Sequence, residues 1–209
     1  MKMLFKKIFI VIMIVASGSV VNAQKLPNKK DMDYLITASG DTVFCKISFS
    51  FFNNSKARYK TAEMKSAVAI DPNQIAAYYD AKKKELYTSI LLPDEDESQF
   101  LQVVEDGPIR IYKFLKNVYS AYSYGGSSII IWFMSKNNGK LEQIKTNSFL
   151  TGMDISSRKE REDVFGELLK DKPEVYTKYA DSKKFSFDRI RSLVHLYNTG
   201  VWVDDWTGN

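Results

Sequence analysis

Cysteine and histidine are nearly absent from this 209-residue chain, which contains one of each. With Cys45 alone, no disulfide can form within the chain, so its stability has to come from packing. With His195 alone, a zinc site or a catalytic dyad built on histidine would have to use this one side chain. The sequence therefore predicts no metal site, and we expect His195 to be a partly exposed surface residue of a helix.

Recognisable catalytic motifs are missing as well. The chain contains no HExxH or CxxC pair, no GxSxG elbow, no glycine-rich phosphate loop and no EF-hand calcium loop. These absences argue against the common designs that use those motifs, but they say little about enzymes in general. The sequence accordingly predicts no catalytic residues and no cofactor.

The first 23 residues have the pattern of an export signal. Three lysines precede an apolar run, and small residues ending at Ala23 fit a signal-peptidase site. The alternative is an uncleaved membrane anchor, but the run 8–16 is short against the ~20 residues that span a bilayer. We therefore expect a signal peptide at 1–23, a mobile mature N-terminus at 24–32, and residence in the periplasm or cell envelope of a Gram-negative bacterium.

Cleavage would leave a mature chain that is almost neutral. Removing residues 1–23 takes away three lysines and no acidic residue, so 27 basic and 25 acidic residues remain and the formal net charge falls from +5 to +2. Nucleic acids and anionic membranes usually select a clustered excess of Lys and Arg. We therefore expect no nucleic acid as a partner, and no transmembrane span once the signal is removed.

The stretch Ser98–Leu115 organises the rest of the chain. Two runs rich in Val, Ile, Leu and aromatic residues flank Asp106-Gly107, which is a turn signal. The pattern predicts a β-hairpin with a four-residue loop, in a register that sets Val104 opposite Ile109. Both faces then carry apolar side chains, which is typical of a hairpin near the middle of a sheet.

A second hairpin is predicted nearer the N-terminus. The short apolar runs 34–37 and 42–49 flank a Ser-Gly turn, and the predicted register sets Ile36 opposite Val43. The residues that alternation places on one apolar face of the second run are Val43, Cys45, Ile47 and Phe49. We therefore expect Cys45 to be a buried, unreactive thiol.

The most apolar segment of the remaining chain is Ile129–Met134, which shows no alternation and is too short to span a membrane. It predicts a strand covered on both faces. Asn138-Gly139 is the strongest type I′ turn signal, and it leads into a predicted strand at 141–146. Shorter strands are predicted at 57–61, 66–70, 75–79 and 85–92.

From Ser156 onward the apolar period changes from two to 3.6 residues. A capping box at Ser157 predicts a helix that ends near Lys170, with Val164, Phe165, Leu168 and Leu169 facing inward. A second box beginning at Asp171 predicts a shorter helix. Ser186 is expected to cap a third helix, which ends at Asn198 and Gly200.

Strands first and helices last predict an α+β fold, with an antiparallel β-meander sheet followed by about three C-terminal helices packed on it. The chain is long enough for one sizeable core, so we expect a single domain at 33–200. This domain is predicted to be mostly β at 33–147 and mostly α at 148–200. A tail at 201–209 follows it.

Three of these features together resemble a family of exported, uncharacterised proteins of Bacteroidota. They are the hairpin turn Gly40-Asp41-Thr42, the central hairpin FLQVVEDGPIRIYKF, and a final helix ending Leu196-Tyr197-Asn198. The resemblance covers roughly residues 34–198 and implies an exported α+β protein. It implies no catalytic residues, and the 119–128 loop and the tail depart from the family pattern.

Aromatic residues in two polar segments are the candidate binding residues. Tyr119, Tyr122 and Tyr124 lie in a Tyr/Ser/Gly-rich stretch, which suits either an adaptable binding surface or a plain mobile loop. Trp202 and Trp206 lie in the tail, where they pack on the helices or bind a partner.

The sequence thus favours an exported, non-enzymatic binding or assembly module whose partner is an envelope protein, a glycan or a lipid. The alternative is a hydrolase of unrecognised type that uses carboxylates.

Overall fold

The computed structural model of the protein describes residues 32–49, 57–93, 95–118, 127–148, 156–182 and 184–206. The predicted signal peptide, nearly all of the predicted N-terminal segment 24–32, and the candidate residues Tyr119, Tyr122 and Tyr124 lie outside the described residues.

Within the described residues, eleven strands precede three helices, so the predicted α+β order is confirmed. The strands are β1 (Tyr34–Thr37), β2 (Thr42–Phe44), β3 (Lys46–Phe49), β4 (Ala57–Lys60), β5 (Val68–Ala69), β6 (Ile75–Asp80), β7 (Glu85–Leu91), β8 (Ser98–Glu105), β9 (Ile109–Val118), β10 (Ser127–Lys136) and β11 (Glu142–Thr146). The helices are α1 (Arg158–Leu169), α2 (Pro173–Ala180) and α3 (Phe187–Thr199).

The large sheet has eight strands in the order β11-β10-β9-β8-β7-β6-β1-β2, and every neighbouring pair is antiparallel. From β6 to β11 each strand pairs with the next one in sequence, which confirms the predicted meander. A smaller antiparallel sheet has the order β3-β4-β5. The central hairpin β8–β9 lies inside the large sheet, as its two apolar faces predict.

The register predicted for the central hairpin is wrong. Val103 lies opposite Tyr112 and Glu105 opposite Ile111, with a bulge between Val103 and Glu105. The predicted pairing of Val104 with Ile109 does not form, because the regular pairs are already displaced by two positions from the predicted register and the bulge adds one extra residue in β8. Ile109 therefore lies beyond the paired part of β8.

The first hairpin is also shifted from its prediction. Leu35, not Ile36, lies opposite Val43, and the predicted strand 42–49 divides at Cys45 into β2 and β3, which belong to different sheets. Asp33 accounts for the change of sheet, because its backbone oxygen accepts from Cys45 N (3.1 Å) and its carboxylate accepts from Ile47 N (2.8 Å).

The turn between β10 and β11 is displaced by one residue from the predicted Asn138-Gly139 pair. Asn137 and Asn138 occupy the two central positions, with φ angles of 50° and 58°, and Gly139 N donates to Lys136 O at 2.8 Å. Asparagine tolerates the left-handed region well enough to form this type of turn without glycine.

Three apolar clusters form the core. The first joins β9–β11 to all three helices and contains Phe165, which is fully buried. The second lies on the other face of the large sheet, and the third lies between the small sheet and the β1–β6–β7 region. Trp132 belongs to the first cluster and Phe133 to the second, which confirms that β10 is covered on both faces.

The helix starts agree with prediction at two of three places. Ser157 and Glu160 form the capping box of α1, and the Ser186 hydroxyl accepts from Arg189 N at the start of α3. Gly200 ends α3 in the left-handed conformation. The capping box predicted for α2 is wrong, since Lys172 is its N-cap and makes no side-chain cap.

None of the described helices is long and apolar enough to cross a membrane.

Asp171 has a different role from the predicted cap. Its carboxylate accepts from Lys136 Nζ at 2.6 Å and from the Tyr197 hydroxyl at 2.7 Å, which ties β10 to α3. The hydrogen bonds from Lys136 and then from Tyr197 lower the pKa of Asp171.

Because folding lowers the pKa of the Asp171 carboxyl group, its ionised form stabilises the protein when the pH is above about 3.9, the pKa of an aspartate in the unfolded chain. This contribution disappears as the pH falls through the pKa of the folded state. Because Asp171 is half exposed, we expect Asp171→Asn to cost less than about 1 kcal/mol at pH 7. Urea unfolding of both proteins between pH 2 and 7 measures the effect. The two stabilities should converge below about pH 4, and a constant difference across that range would contradict the prediction.

Cys45 is only partly buried, whereas the sequence predicted a buried thiol. It packs against the third cluster with Val43 and Ile47. Phe49 departs from the predicted burial. Its side chain is exposed, and Lys83 Nζ lies 3.9 Å from its ring centroid. Burial, and then the nearby Asp33 carboxylate, raise the pKa of Cys45 to about 11.

We predict that the Cys45 thiol reacts slowly in the native protein. At pH 8 a thiol with the pKa of Cys45 carries roughly two hundredfold less thiolate than a free cysteine of pKa ~8.5. Labelling with a chromogenic disulfide reagent should therefore be slow in buffer and fast in denaturant. Equal rates in the two conditions would place Cys45 at an accessible, reactive surface.

Candidate functional site

The C-terminal residues 201–206, which we call the strap, lie against α2 and α3. Trp202 holds the first half of the strap in place. Lys178 Nζ lies 4.0 Å from a Trp202 ring centroid and Arg189 Cζ lies 4.6 Å from it, which are cation–π distances. The indole N–H of Trp202 donates to the Asp204 carboxylate within the strap.

Trp206 holds the other half. Its indole N–H donates to Ser192 Oγ at 3.0 Å, and its ring contacts Arg191 (3.8 Å to Cζ) and His195 (5.3 Å between ring centroids). Both tail tryptophans therefore pack on the helices, which is the first of the two alternatives predicted for them. Their packing builds a surface from three elements that follow one another in the chain, α2, α3 and the strap.

Beneath Trp206, Glu105 contacts two side chains of α3, Arg191 and His195. Its carboxylate accepts from Arg191 Nε at 3.0 Å and contacts His195 Nδ1 at 3.2 Å, while only 10% of the side chain is exposed. His195 is thus partly exposed, as predicted, but it is engaged with Glu105 and Trp206. The role of Glu105 was not predicted, because its contact with His195 joins residues 90 positions apart.

An open cleft of about 670 Å³ lies beside Trp202, at the junction of α2, α3 and the strap. This main cleft is lined by Lys178, Asp181, Ser182, Lys184, Arg189, Trp202 and Asp204. Six of these seven residues are polar or charged. The main cleft is therefore suited to a hydrated polar ligand more than to an acyl chain.

Three cations line the main cleft. Among the described residues, Lys178, Lys184 and Arg189 form no ion pair, although Arg189 Nη2 donates to Lys178 O at 2.9 Å. Positive charges gathered on a concave surface attract an anionic group. The cleft also contains two carboxylates, Asp181 and Asp204, so its charge is mixed.

A second cleft of about 290 Å³ adjoins the first. Ser182 and Lys184 line both, so the clefts lie on either side of the α2–α3 connection. The second cleft adds three aromatic side chains, Tyr176, Tyr179 and Phe185. The Tyr179 hydroxyl donates to Glu162 O at 2.7 Å, and burial, then nearby Glu162, raise its pKa to about 12, so it is a neutral donor at pH 7.

The candidate site is therefore only partly the one predicted from the sequence. Trp202 lines the main cleft, whereas Trp206 stabilises the strap away from the cleft lining. Lys178, Lys184 and Arg189 were missed. The available signal for Lys184 was the run of polar and basic residues between α2 and α3, and such runs usually indicate only a solvated loop.

No group of three or more His, Cys, Asp and Glu side chains in the described part of the chain is arranged to hold a metal ion. The site is defined by its cations, its carboxylates and Trp202.

Comparison with known proteins adds nothing to this geometry. Neither a protein-family model, nor a curated protein, nor a solved structure matches the chain. The resemblance to exported Bacteroidota proteins accordingly stays a prediction, and any function has to be inferred from the site itself.

Proposed function

We propose that this protein is an exported, non-enzymatic binding or assembly module of a Gram-negative cell envelope, and that it binds its ligand in the main cleft. The observation that carries the proposal is the open cleft with three cations that form no ion pair among the described residues. Export follows from the N-terminal sequence pattern. The partner class is an envelope glycan, protein or lipid.

The surroundings of the main cleft favour binding over a purely structural role. Lys178 contacts the Trp202 ring at 4.0 Å, whereas Lys136 is tied by hydrogen bonds to Asp171 and Leu168. Lys178 and Lys184 have no carboxylate partner in the part of the chain that the structure describes. Charges left in this way at the wall of a cleft can bind a ligand without first breaking internal ion pairs.

Blocking the main cleft tests the proposal. In Ser182→Tyr, a bulky side chain fills the wall that the two clefts share. Ser66→Tyr makes the same change at an exposed position in the connection between β4 and β5. We expect wild type and Ser66→Tyr, immobilised after purification from the envelope, to retain a specific component of an envelope extract, and Ser182→Tyr to lose it.

Two results would overturn the proposal. One is that wild type retains no specific component. The other is that Ser182→Tyr, with an unchanged melting temperature, retains the same component as wild type.

A hydrolase is the second candidate, because the main cleft contains two carboxylates, Asp181 and Asp204. Hydrolysis of a glycosidic bond uses two carboxyl groups on opposite sides of the bond. If the retained component is a glycan, release of new reducing ends by wild type but not by Asp181→Asn would favour this candidate. Retention without cleavage would favour the binding module.

A further inference from the structure

We propose that the ligand of the main cleft is an acidic saccharide, meaning a sugar chain that carries a carboxylate, phosphate or sulfate group. This inference rests on the proposed function and specifies the ligand of the same cleft. It follows from the kinds of side chain that line the cleft and from their balance.

The cations require a negative group on the ligand. Lys178, Lys184 and Arg189 line one cleft, and the first and last of them flank the same indole at 4.0 and 4.6 Å. Hydrogen bonds from ammonium or guanidinium groups to an anion are about twice as strong as neutral ones. A neutral ligand would leave this advantage unused.

The carboxylates require donors on the same ligand. When they are ionised, Asp181 and Asp204 can accept hydrogen bonds but cannot donate them, whereas the Ser182 hydroxyl can do both. A ligand with several hydroxyl groups satisfies these acceptors. A densely anionic polymer such as a nucleic acid would be repelled by them, so the lining selects hydroxyl groups together with a limited number of negative charges.

The shape of the site fits more than one sugar unit. The main cleft, at about 670 Å³, lies within the range of ~300–1,000 Å³ that is usual for ligand sites. The adjoining cleft is lined by the aromatic residues Tyr176, Tyr179 and Phe185, and aromatic rings are a residue type that can pack on the CH face of a sugar. A chain that passes over Ser182 and Lys184 would contact both clefts.

A lipid chain or a protein segment fits this lining less well. Trp202 is the only aromatic or aliphatic residue among the described residues that line the main cleft. Acyl chains and the central contact residues of protein interfaces are buried among apolar side chains. The observations therefore favour the saccharide over the other two partner classes.

The test is an array of immobilised oligosaccharides in matched pairs, in which each acidic member stands beside its neutral form, such as trigalacturonate beside its methyl ester. We expect the exported protein to bind at least one acidic member and to ignore its neutral partner. Inorganic phosphate and acetate at equal concentration should not displace it. If they do, an adventitious ion only has been detected, and the inference is wrong.

Charge-neutral variants locate the binding. Lys178→Gln and Lys184→Gln should each weaken binding of that oligosaccharide by about tenfold. Lys82→Gln removes the same charge from an exposed turn between β6 and β7, and it should bind like wild type. Equal affinities of all four proteins would contradict the inference.

The outcomes separate this inference from the proposed function. A neutral oligosaccharide, a phospholipid vesicle or an envelope protein that binds wild type but not Ser182→Tyr would refute the acidic saccharide and leave the binding module standing. Failure of every ligand and every envelope component to bind would refute both.

Discussion

Replacing Gly107 by alanine should destabilise the protein by about 3 kcal/mol, because the new side chain would meet both an unfavourable backbone conformation and a steric clash. Gly107 has a φ of +151°, a backbone conformation that side chains rarely adopt. An added Cβ would also lie 2.7 Å from Cγ and 2.8 Å from Nδ2 of Asn198. Asn198 cannot move away freely, because both its amide oxygen and its amide nitrogen are hydrogen-bonded to β9.

Gly40→Ala is the matched control. Gly40 also has a positive φ (91°), but an added Cβ there would meet nothing within 4 Å. It should therefore show only the backbone cost, about 1 kcal/mol. Urea unfolding of the two variants measures the difference, and equal losses would show that the contact between Gly107 and Asn198 has no energetic weight.

Asn198→Ala should cost about 2–4 kcal/mol, because it leaves two backbone groups of a buried residue without partners. Asn198 Oδ1 accepts from Ile109 N at 3.0 Å, and Asn198 Nδ2 donates to Ile109 O at 2.7 Å. Ile109 is fully buried and lies beyond the paired part of β8, so α3 supplies the bonds that a neighbouring strand would otherwise make.

Two further variants check this interpretation by urea unfolding. Thr199→Ala removes an exposed hydroxyl of the same helix, and this hydroxyl donates to His195 O. The variant should cost well under 1 kcal/mol, roughly the cost of an ordinary surface change. In the double variant Gly107→Ala/Asn198→Ala, the loss should be smaller than the sum of the single losses, because the clash and the bonds share Asn198. Additive losses, or a cost of Asn198→Ala as small as that of Thr199→Ala, would contradict the assigned contacts.

The secondary structure was predictable because it depends on local patterns. Hydrophobic alternation located β1 to the residue, the period of 3.6 located the helices, and Ser157, Ser186 and Gly200 identified helix ends. The double-sided apolar run of β10 correctly indicated that helices were needed to cover one of its faces.

Strand registers were not predictable for a physical reason. The pairs of β8 with β9 are displaced by two positions, the bulge at Val104 adds one more, and the bonds of Asp33 to Cys45 and Ile47 redirect the chain into the small sheet. Turn signals fix register only when the paired strands are regular up to the turn. Asp171 illustrates the same limit, since its local pattern is that of a cap and its partners come from β10 and α3.

The candidate site was half predictable. Two tryptophans in a polar tail indicated that the tail needs cover, and both are packed on the helices. The cleft itself depends on where α2, α3 and the strap meet, so no spacing rule could bring Lys178, Lys184 and Arg189 together.

The central claim is that a ligand binds beside Trp202. The chain has three tryptophans, Trp132 in the core, Trp202 in the main cleft and Trp206 against His195 and Arg191, and each gives one indole N–H signal in a ¹⁵N NMR spectrum. Titration with an acidic oligosaccharide selected on the array should shift the Trp202 signal progressively and leave the Trp132 signal in place. A Trp202 signal that stays fixed at saturating oligosaccharide would contradict the claim.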